Sequence, residues 1–365
     1  MAPARVIPWG HQLAINLLQA FDSRHACRRT QAWHPAALRI FQRTLYSTPV
    51  DSTMPTTRLA PSPTGALHLG NARTFLLNYL LARTRGWRIV LRMEDLDGPR
   101  VKAGAAGQAM DDLAWLGLEW DCQMADQSQR GPVYRAALER LVAMGQAYPC
   151  TCMRTDVERA ASAPHREDGL SLYPGTCRGR WADAEQAQQV TGRPAAYRLR
   201  VDGQVVSFED MQAGPQRFAM ADACGDFVIF KSDGLAAYQL AVVIDDAEAG
   251  VTEIVRGDDL LDSTPRQLLL QDLLGLQPRP RYWHLPLVVG PDGRRLAKRH
   301  GDTRLSAYRA LRVPPERILG LLGYWSGLLD QRRMTEIPQL MERFDIRRLP
   351  PGPVVFSAAD EQFLL

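Results

Sequence analysis

At 365 residues, 45% apolar and 23% charged, the chain has the composition of a soluble globular protein with room for two or three domains. No run approaches the ~18 uninterrupted apolar residues of a membrane-spanning helix, and a net charge of only +4 excludes a generally basic nucleic-acid binder. That excess is local. Residues 1–57 hold six arginines against Asp22 and Asp51, so any RNA contact made by the rest must come from local basic patches.

Residues 1–57 are poor in acids and lack sustained periodicity. They read as an extension, disordered or lying upstream of a start at Met54, without the apolar stretch of a secretory signal. From residue 58 the pattern is α/β. The stretch Arg58-Leu-Ala-Pro-Ser-Pro-Thr-Gly-Ala-Leu-His-Leu-Gly-Asn71 leads into Leu69, Leu76, Leu77, Leu80 and Leu81, near helical spacing, which predicts a helix from about Gly70. The N–H groups and positive dipole end of that helix would suit phosphates, which Gly65 and Gly70 would admit closely and to which His68 could donate. Turn chemistry alone fits a Pro-rich turn before a core helix equally well.

Trp87–Met93 reads as a strand that runs into Arg92-Met-Glu-Asp-Leu-Asp97, acidic groups at a strand's carboxyl end. Helices are predicted over about 105–116 and, from Tyr134, Ala137, Leu138, Leu141 and Val142, over 134–142. From Gln146 to about Arg200 the pattern loosens into an insertion holding Cys150-Thr-Cys152 and Tyr173-Pro-Gly-Thr-Cys177, with short strands at 196–201 and 204–208. The sheet resumes with Phe227–Lys231, a Ser-Asp-Gly turn, the apolar run Leu235–Ile244 and a strand at Val251–Val255. Ser263-Thr264-Pro265 offers a capping hydroxyl and a first-turn proline for a helix over 267–274. Leu285–Val289 reads as a strand and Gly-Pro-Asp-Gly at 290–293 as a tight turn. The basic segment Gly293-Arg-Arg-Leu-Ala-Lys-Arg-His-Gly301 follows, then short helices broken at Pro314-Pro315, Pro338 and Pro350-Pro351.

Six cysteines in a chain this long make no disulfide framework. Cys150, Cys152 and Cys177 read instead as soft ligands of one structural zinc ion in a reducing compartment, the cytoplasm, with His165 as the conventional fourth ligand and Tyr173 as the unusual one. Lysine is confined to Lys102, Lys231 and Lys298 among 44 basic residues. Arginine has replaced it almost everywhere a bare charge suffices, which sets Lys298 in its basic loop apart.

Arg-x-x-Pro-Ser-Pro-Thr-Gly-x-Leu-His-Leu-Gly-Asn resembles the first signature of class I glutamyl-tRNA synthetases. Arg92–Asp97 resembles their Arg-x-Glu-Asp-x-Asp run, and 293–301 their second signature, Lys-x-Ser-Lys-Arg, with Arg295 and Ala297 departing from it. The resemblance covers Arg58 to about Tyr324. It implies a Rossmann-type catalytic domain in two halves, 58–145 and 211–304, a zinc-binding insertion over 146–210 and a short helical tail over 305–365.

The resemblance also implies the site. His68, Gly70, Asn71 and Lys298 would bind ATP with its magnesium, His68 and Lys298 acting in catalysis. Arg58, Ser62, Glu94, Tyr238 and Arg256 would bind L-glutamate, with Glu94 facing the α-amino group. A guanidinium pairs bidentately with a carboxylate, so glutamine in the same pocket would leave a charge unpaired at roughly 2–5 kcal/mol.

Within the family, Cys-x-Cys…Tyr-x-x-x-Cys favours Tyr173 as a zinc ligand and resembles the truncated paralogues, the glutamyl-Q tRNA(Asp) synthetases. The 64 residues after Gly301 are fewer than a helical anticodon-binding region needs. The expected partners are therefore ATP, glutamate and queuosine-bearing tRNA(Asp), with no membrane, and a monomer is expected. Two other readings stay open: a minimal synthetase charging tRNA(Glu), and an inactive tRNA-binding module, which Arg295 and Ala297 favour and Lys298 opposes.

Overall fold

The computed structural model describes residues 54–63, 65–97, 101–160, 172–294, 296 and 301–365. Strand β1 (Thr56–Leu59) enters the Pro61–Pro63 turn, whose prolines cannot extend a ladder. The helix Leu69–Thr84 follows, and then β2 (Arg88–Leu91), parallel to β1 with Thr56 opposite Arg88. The helix Ala105–Trp115 leads to β3 (Cys122–Gln123) on the far side of β2. After the helix Gly131–Ala143 come β4 (Ala147–Cys150), β5 (Ala196–Leu199), β6 (Val205–Asp210), β7 (Gly214–Ala219) and β8 (Phe227–Phe230). The helix Tyr238–Glu248 precedes β9 (Glu253–Gly257), and the helix Thr264–Leu274 precedes β10 (Arg281–Leu285) and β11 (Val288–Val289). The tail holds the helices Leu305–Ala310, Pro315–Trp325, Ile337–Arg343 and Ala358–Leu364, with β12 (Val354–Val355) before the last.

Two sheets meet edge to edge. One has the order β1-β2-β3 and the other β7-β6-β10-β9, where β9, β10 and β6 are parallel and β7 closes a hairpin on β6. Just before β9, the Thr252 N–H donates to the Thr56 carbonyl at 2.9 Å, which sets β9 beside β1. Strand order thus runs outward in opposite directions from the β1/β9 junction. Parallel α/β sheets bind ligands in such a crevice, beyond the carboxyl ends of the strands.

The Leu69–Thr84 helix buries Leu69, Leu76, Leu77, Leu80 and Leu81 in a core shared with β1, β2 and the tail, while a second core surrounds Phe227–Leu274. Both Arg73 and Asn78 in that helix are also buried. Arg73 Nη1 donates to the Pro286 carbonyl at 2.6 Å and Nε to Ser326 Oγ at 3.2 Å, tying the helix to the tail.

The predicted helices at 70, 105–116 and 134–142 and the strands at 87–93, 196–201, 204–208 and 251–255 all have counterparts, while several expectations need correction. Phe227–Phe230 does not resume the parallel sheet; it pairs antiparallel with β5, which also pairs with β4. The apolar run from Leu235 forms the helix Tyr238–Glu248. Ser263 does not cap its helix, because the chain enters through the 3-10 turn Asp258–Ser263 with Ser263 already in helical conformation; its Oγ accepts from Gln239 at 3.1 Å. Pro315 and Pro338 start helices in the tail, where a missing N–H is harmless. Among the described residues no helix is long and apolar enough to cross a membrane.

Candidate active site and metal centre

A cavity of about 550 Å³ opens at the β1/β9 junction. Arg58 of β1 and Arg256 of β9 line it, together with Ser62, Gly65, His68, Gly70 and Asn71 from the turn and helix start, Glu94 beyond β2, and Tyr238 at a helix N-terminus. Eight of the nine residues expected to bind ATP or glutamate therefore share one cavity. The ninth, Lys298, lies outside the described residues, as do Arg295 and Ala297. The segments flanking their loop reach this site. Leu69 N donates to Thr303 O at 3.0 Å and Leu305 N to Leu67 O at 2.8 Å.

His68 caps the first helix. Its Nδ1 accepts from Gly70 N at 3.1 Å and Asn71 N at 3.3 Å, and the Asn71 side chain accepts the His68 N–H in return. A Cβ on Gly70 would lie 3.0 Å from His68 Cε1, so glycine lets the imidazole fold over the helix end. Two N–H groups expected to face phosphates thus already have an acceptor. With Nδ1 accepting, the proton of the neutral ring sits on Nε2, which makes that atom a donor.

The floor of the cavity is a buried ion network. Arg92 is fully buried, with Nη1 on Asp246 Oδ1 at 2.5 Å and Nη2 on Glu94 Oε1 at 2.9 Å. Asp246 also accepts from Arg58 Nε at 3.3 Å, and Arg58 Nη1 donates to Val255 O at 3.4 Å. Burial works to raise the Asp246 pKa, but Arg92 and Arg58 overrule it and hold the carboxyl below its ordinary value. For Glu94 the balance goes the other way. Burial, aided by the Asp246 charge, outweighs Arg92 and Arg58 and raises its pKa. A carboxylate kept costly by burial is suited to receive a cation. Burial and the nearby Glu94 also raise the Tyr238 phenol, so its hydroxyl stays protonated.

Arg256 is 4% exposed and fixed on two sides. Nε donates to His284 Nε2 at 3.0 Å and Nη2 to Thr264 Oγ1 at 2.7 Å, while buried Nη1 has no hydrogen-bond partner. The sequence assigns no site role to Asp246, Thr264 or His284, and names Arg92 only as the first residue of its signature. For Asp245-Asp246 a signal existed: two acids inside an otherwise apolar run, where a carboxylate needs a buried cation.

The insertion holds a second constellation. The Sγ atoms of Cys150, Cys152 and Cys177 lie within 4.8 Å of one another. The hydroxyl of Tyr173 lies 3.4 Å from Cys150 Sγ and 3.6 Å from Cys152 Sγ, and accepts the Cys177 N–H at 2.8 Å. Three thiols and a phenol oxygen thus converge in one cluster, whose sulfurs could hold a metal ion. The guanidinium of Arg198 stacks 3.8 Å from the Tyr173 ring centre and donates to Cys150 Sγ at 3.3 Å. His165 lies outside the described residues.

Residues 55–356 match the family described as tRNA synthetases class I (E and Q), catalytic domain. A glutamyl-Q tRNA(Asp) synthetase of Symbiobacterium thermophilum is 48% identical over 314 residues, 82% of this chain and 95% of that one. One of Rhodopirellula baltica is 46% identical over 317 residues, with the same coverage. Among solved structures, a glutamate tRNA ligase from Elizabethkingia meningosepticum, crystallised with its amino acid, superposes with a TM-score of 0.72 at 25% identity. The match covers 85% of this chain and 68% of that one.

Proposed function

Because the chain belongs to the class I tRNA synthetases of the glutamate and glutamine type, we propose that it activates L-glutamate with ATP and transfers the glutamyl group to the queuosine base in the anticodon of tRNA(Asp). One observation carries this reading: the cavity at the strand-order reversal is lined by an arginine whose buried Nη1 has no hydrogen-bond partner and by a buried, cation-seeking carboxylate. The names of the glutamyl-Q tRNA(Asp) synthetases, matched over 95% of their length, support the acceptor.

In this reading Arg256, with Arg58 beside it, receives the side-chain carboxylate of glutamate, Glu94 its α-amino group, and Tyr238 and Ser62 complete the pocket. An oxygen of the α-carboxylate attacks the α-phosphorus of ATP. The bond to the bridging oxygen breaks and pyrophosphate leaves with the electron pair. Catalysis is chiefly positioning and charge stabilisation. His68 donates to the phosphates above Gly70 and Asn71, and Lys298 neutralises charge on the departing pyrophosphate, with magnesium accompanying ATP. A hydroxyl of the queuosine cyclopentenediol then attacks the glutamyl carbonyl, loses its proton and displaces AMP.

Cys150, Cys152, Cys177 and Tyr173 would hold one zinc ion, whose contribution is structural. The same reading divides the chain into catalytic halves 58–145 and 211–304, an insertion over 146–210 and a tail over 305–365, with β6 reaching into the catalytic sheet and β8 into that of the insertion.

Glutamate-dependent exchange of pyrophosphate into ATP, without tRNA, tests the first step, and labelled glutamate on queuosine-containing against queuosine-free tRNA(Asp) tests the second. We expect exchange without tRNA and labelling only of the queuosine form. Strict dependence on tRNA(Glu) would make the chain a minimal synthetase, and no exchange at all an inactive module.

A further inference from the structure

We propose that Asp210 and His284 are positioning residues for Arg256, fixing which edge of its guanidinium faces the cavity by dictating the tautomer of the intervening imidazole. The proposal rests on the reading that Arg256 receives a carboxylate of the substrate.

Three facts place the chain of contacts. The side chains of Asp210 and His284 are fully buried, with Asp210 Oδ2 2.6 Å from His284 Nδ1. On the far side of the ring, Nε2 lies 3.0 Å from Arg256 Nε. Arg256 Nη2 is held by Thr264 and by the Leu260 carbonyl at 3.3 Å, so Nη1 alone is left unpaired in a guanidinium that lines the cavity.

An arginine Nε–H can only donate, so His284 Nε2 must carry a lone pair and Nδ1 the proton. Asp210 enforces that choice by accepting the Nδ1 proton. Burial opposes the ionised form of Asp210, but His284 and the N–H groups of Gln212 and Ala213 hold its pKa below the ordinary value, while burial keeps His284 neutral. A buried carboxylate and imidazole do not optimise the sheet, since apolar residues of similar volume pack at least as well. What this pair supplies is an acceptor aimed at Arg256.

Asp210→Asn isolates the idea. Oδ1 accepts from Gln212 N at 3.0 Å and Ala213 N at 2.8 Å, and asparagine retains that oxygen. Only Oδ2 changes, to an amide that donates to Nδ1. The proton then moves to Nε2, where only Thr264 Oγ1 at 3.3 Å can accept it, so the Arg256 Nε–H loses its acceptor and Arg256 turns away.

In pyrophosphate exchange with the full chain, D210N should raise the KM for glutamate by roughly 10- to 100-fold, the range for losing an outer hydrogen-bond partner of a ligand-holding group. The KM for ATP should stay near wild type. Histidine nitrogen NMR should place the His284 proton on Nδ1 in the wild type and on Nε2 in D210N. A wild-type ring protonated on Nε2 overturns the proposal even if the variant fails to fold, and so does a glutamate KM in D210N equal to wild type. Failure of the functional reading looks different: Arg256→Gln would then leave the glutamate KM unchanged, whatever the tautomer.

Discussion

Arg92 does not itself line the cavity, yet through Asp246 it fixes Arg58 and through its other edge it holds Glu94. The raised pKa of Glu94 follows from its place in that network and yields a prediction with a definite sign. Its folded-state pKa lies above the ordinary value, so the stability contributed by its proton is present at low pH and lost as pH rises through the folded pKa. Above that folded pKa an empty pocket bears an unfavourable carboxylate, which an ammonium group relieves. As pH falls into the range where Glu94 takes up its proton, above that of an unperturbed glutamate, the KM for glutamate should climb while that for ATP stays level. Glu94→Gln should give a high, flat glutamate KM over the same limb and a Tm at neutral pH equal to or above that of wild type. Exchange kinetics and thermal melts from pH 5 to 8 check both, and a wild-type glutamate KM that is flat with pH would remove the role given to Glu94. The wall residues Arg58, Glu94 and Arg256 were legible because they sit in long, spaced motifs. His284 and Asp210 were not, because their role is contact with another side chain at long sequence separation, which no local pattern encodes; the acids Asp245-Asp246 in their apolar run signal a buried cation without saying which.

At the scale of elements, the insertion depends on a few short pieces. β4 brings Cys150, the irregular residues after it bring Cys152, and Tyr173 and Cys177 sit in a stretch whose apolar cluster is little more than these four residues with Tyr148, Val157 and Trp181. So small a core cannot order its loops unaided, whereas a structural zinc can supply about 10–16 kcal/mol. Elemental analysis should find one zinc per chain in protein purified without chelators. Tyr173→Phe keeps the ring beneath Arg198 but removes the oxygen, and should weaken zinc binding by roughly tenfold or more, while His165→Ala should leave it unchanged. The reverse result would make His165 the fourth ligand, and absence of zinc would dispose of the site. The cysteine spacing made the cluster of three thiols legible, and the resemblance set Tyr173 beside it. The fate of β8 was not legible, since Phe-Val-Ile-Phe suits a parallel or an antiparallel strand alike and only its pairing with β5 decides.

Across the whole molecule, the tail is part of the catalytic body. Leu305, Ile318, Leu322, Trp325, Phe356 and Leu364 share one core with the helix that starts beneath His68. More specifically, β12 pairs in parallel with β11, with Val354 N donating to Leu287 O and Phe356 N to Val289 O, both at 2.9 Å. β11 in turn feeds the 290–293 turn and the basic second signature, and Val288 lines the cavity beside Gly70. The ring of Phe356 meets that of Trp325 edge-on, with centroids 6.1 Å apart, and so clamps β12 against the core. Phe356→Ala should therefore cost about 3–5 kcal/mol of stability, as loss of a buried aromatic does. It should also raise the KM for ATP more than that for glutamate, because the strand leading into the second signature loses its support. Leu340→Ala is the control. Leu340 is buried in the same core, but on the helix Ile337–Arg343, which pairs with no strand of the site. It should lower stability by about 2–5 kcal/mol and leave the ratio of the two KM values near wild type. Urea unfolding and exchange kinetics on the pair separate a general loss of stability from a local loosening on the ATP side. Equal effects of both variants on the ratio would show that β12 only fills space.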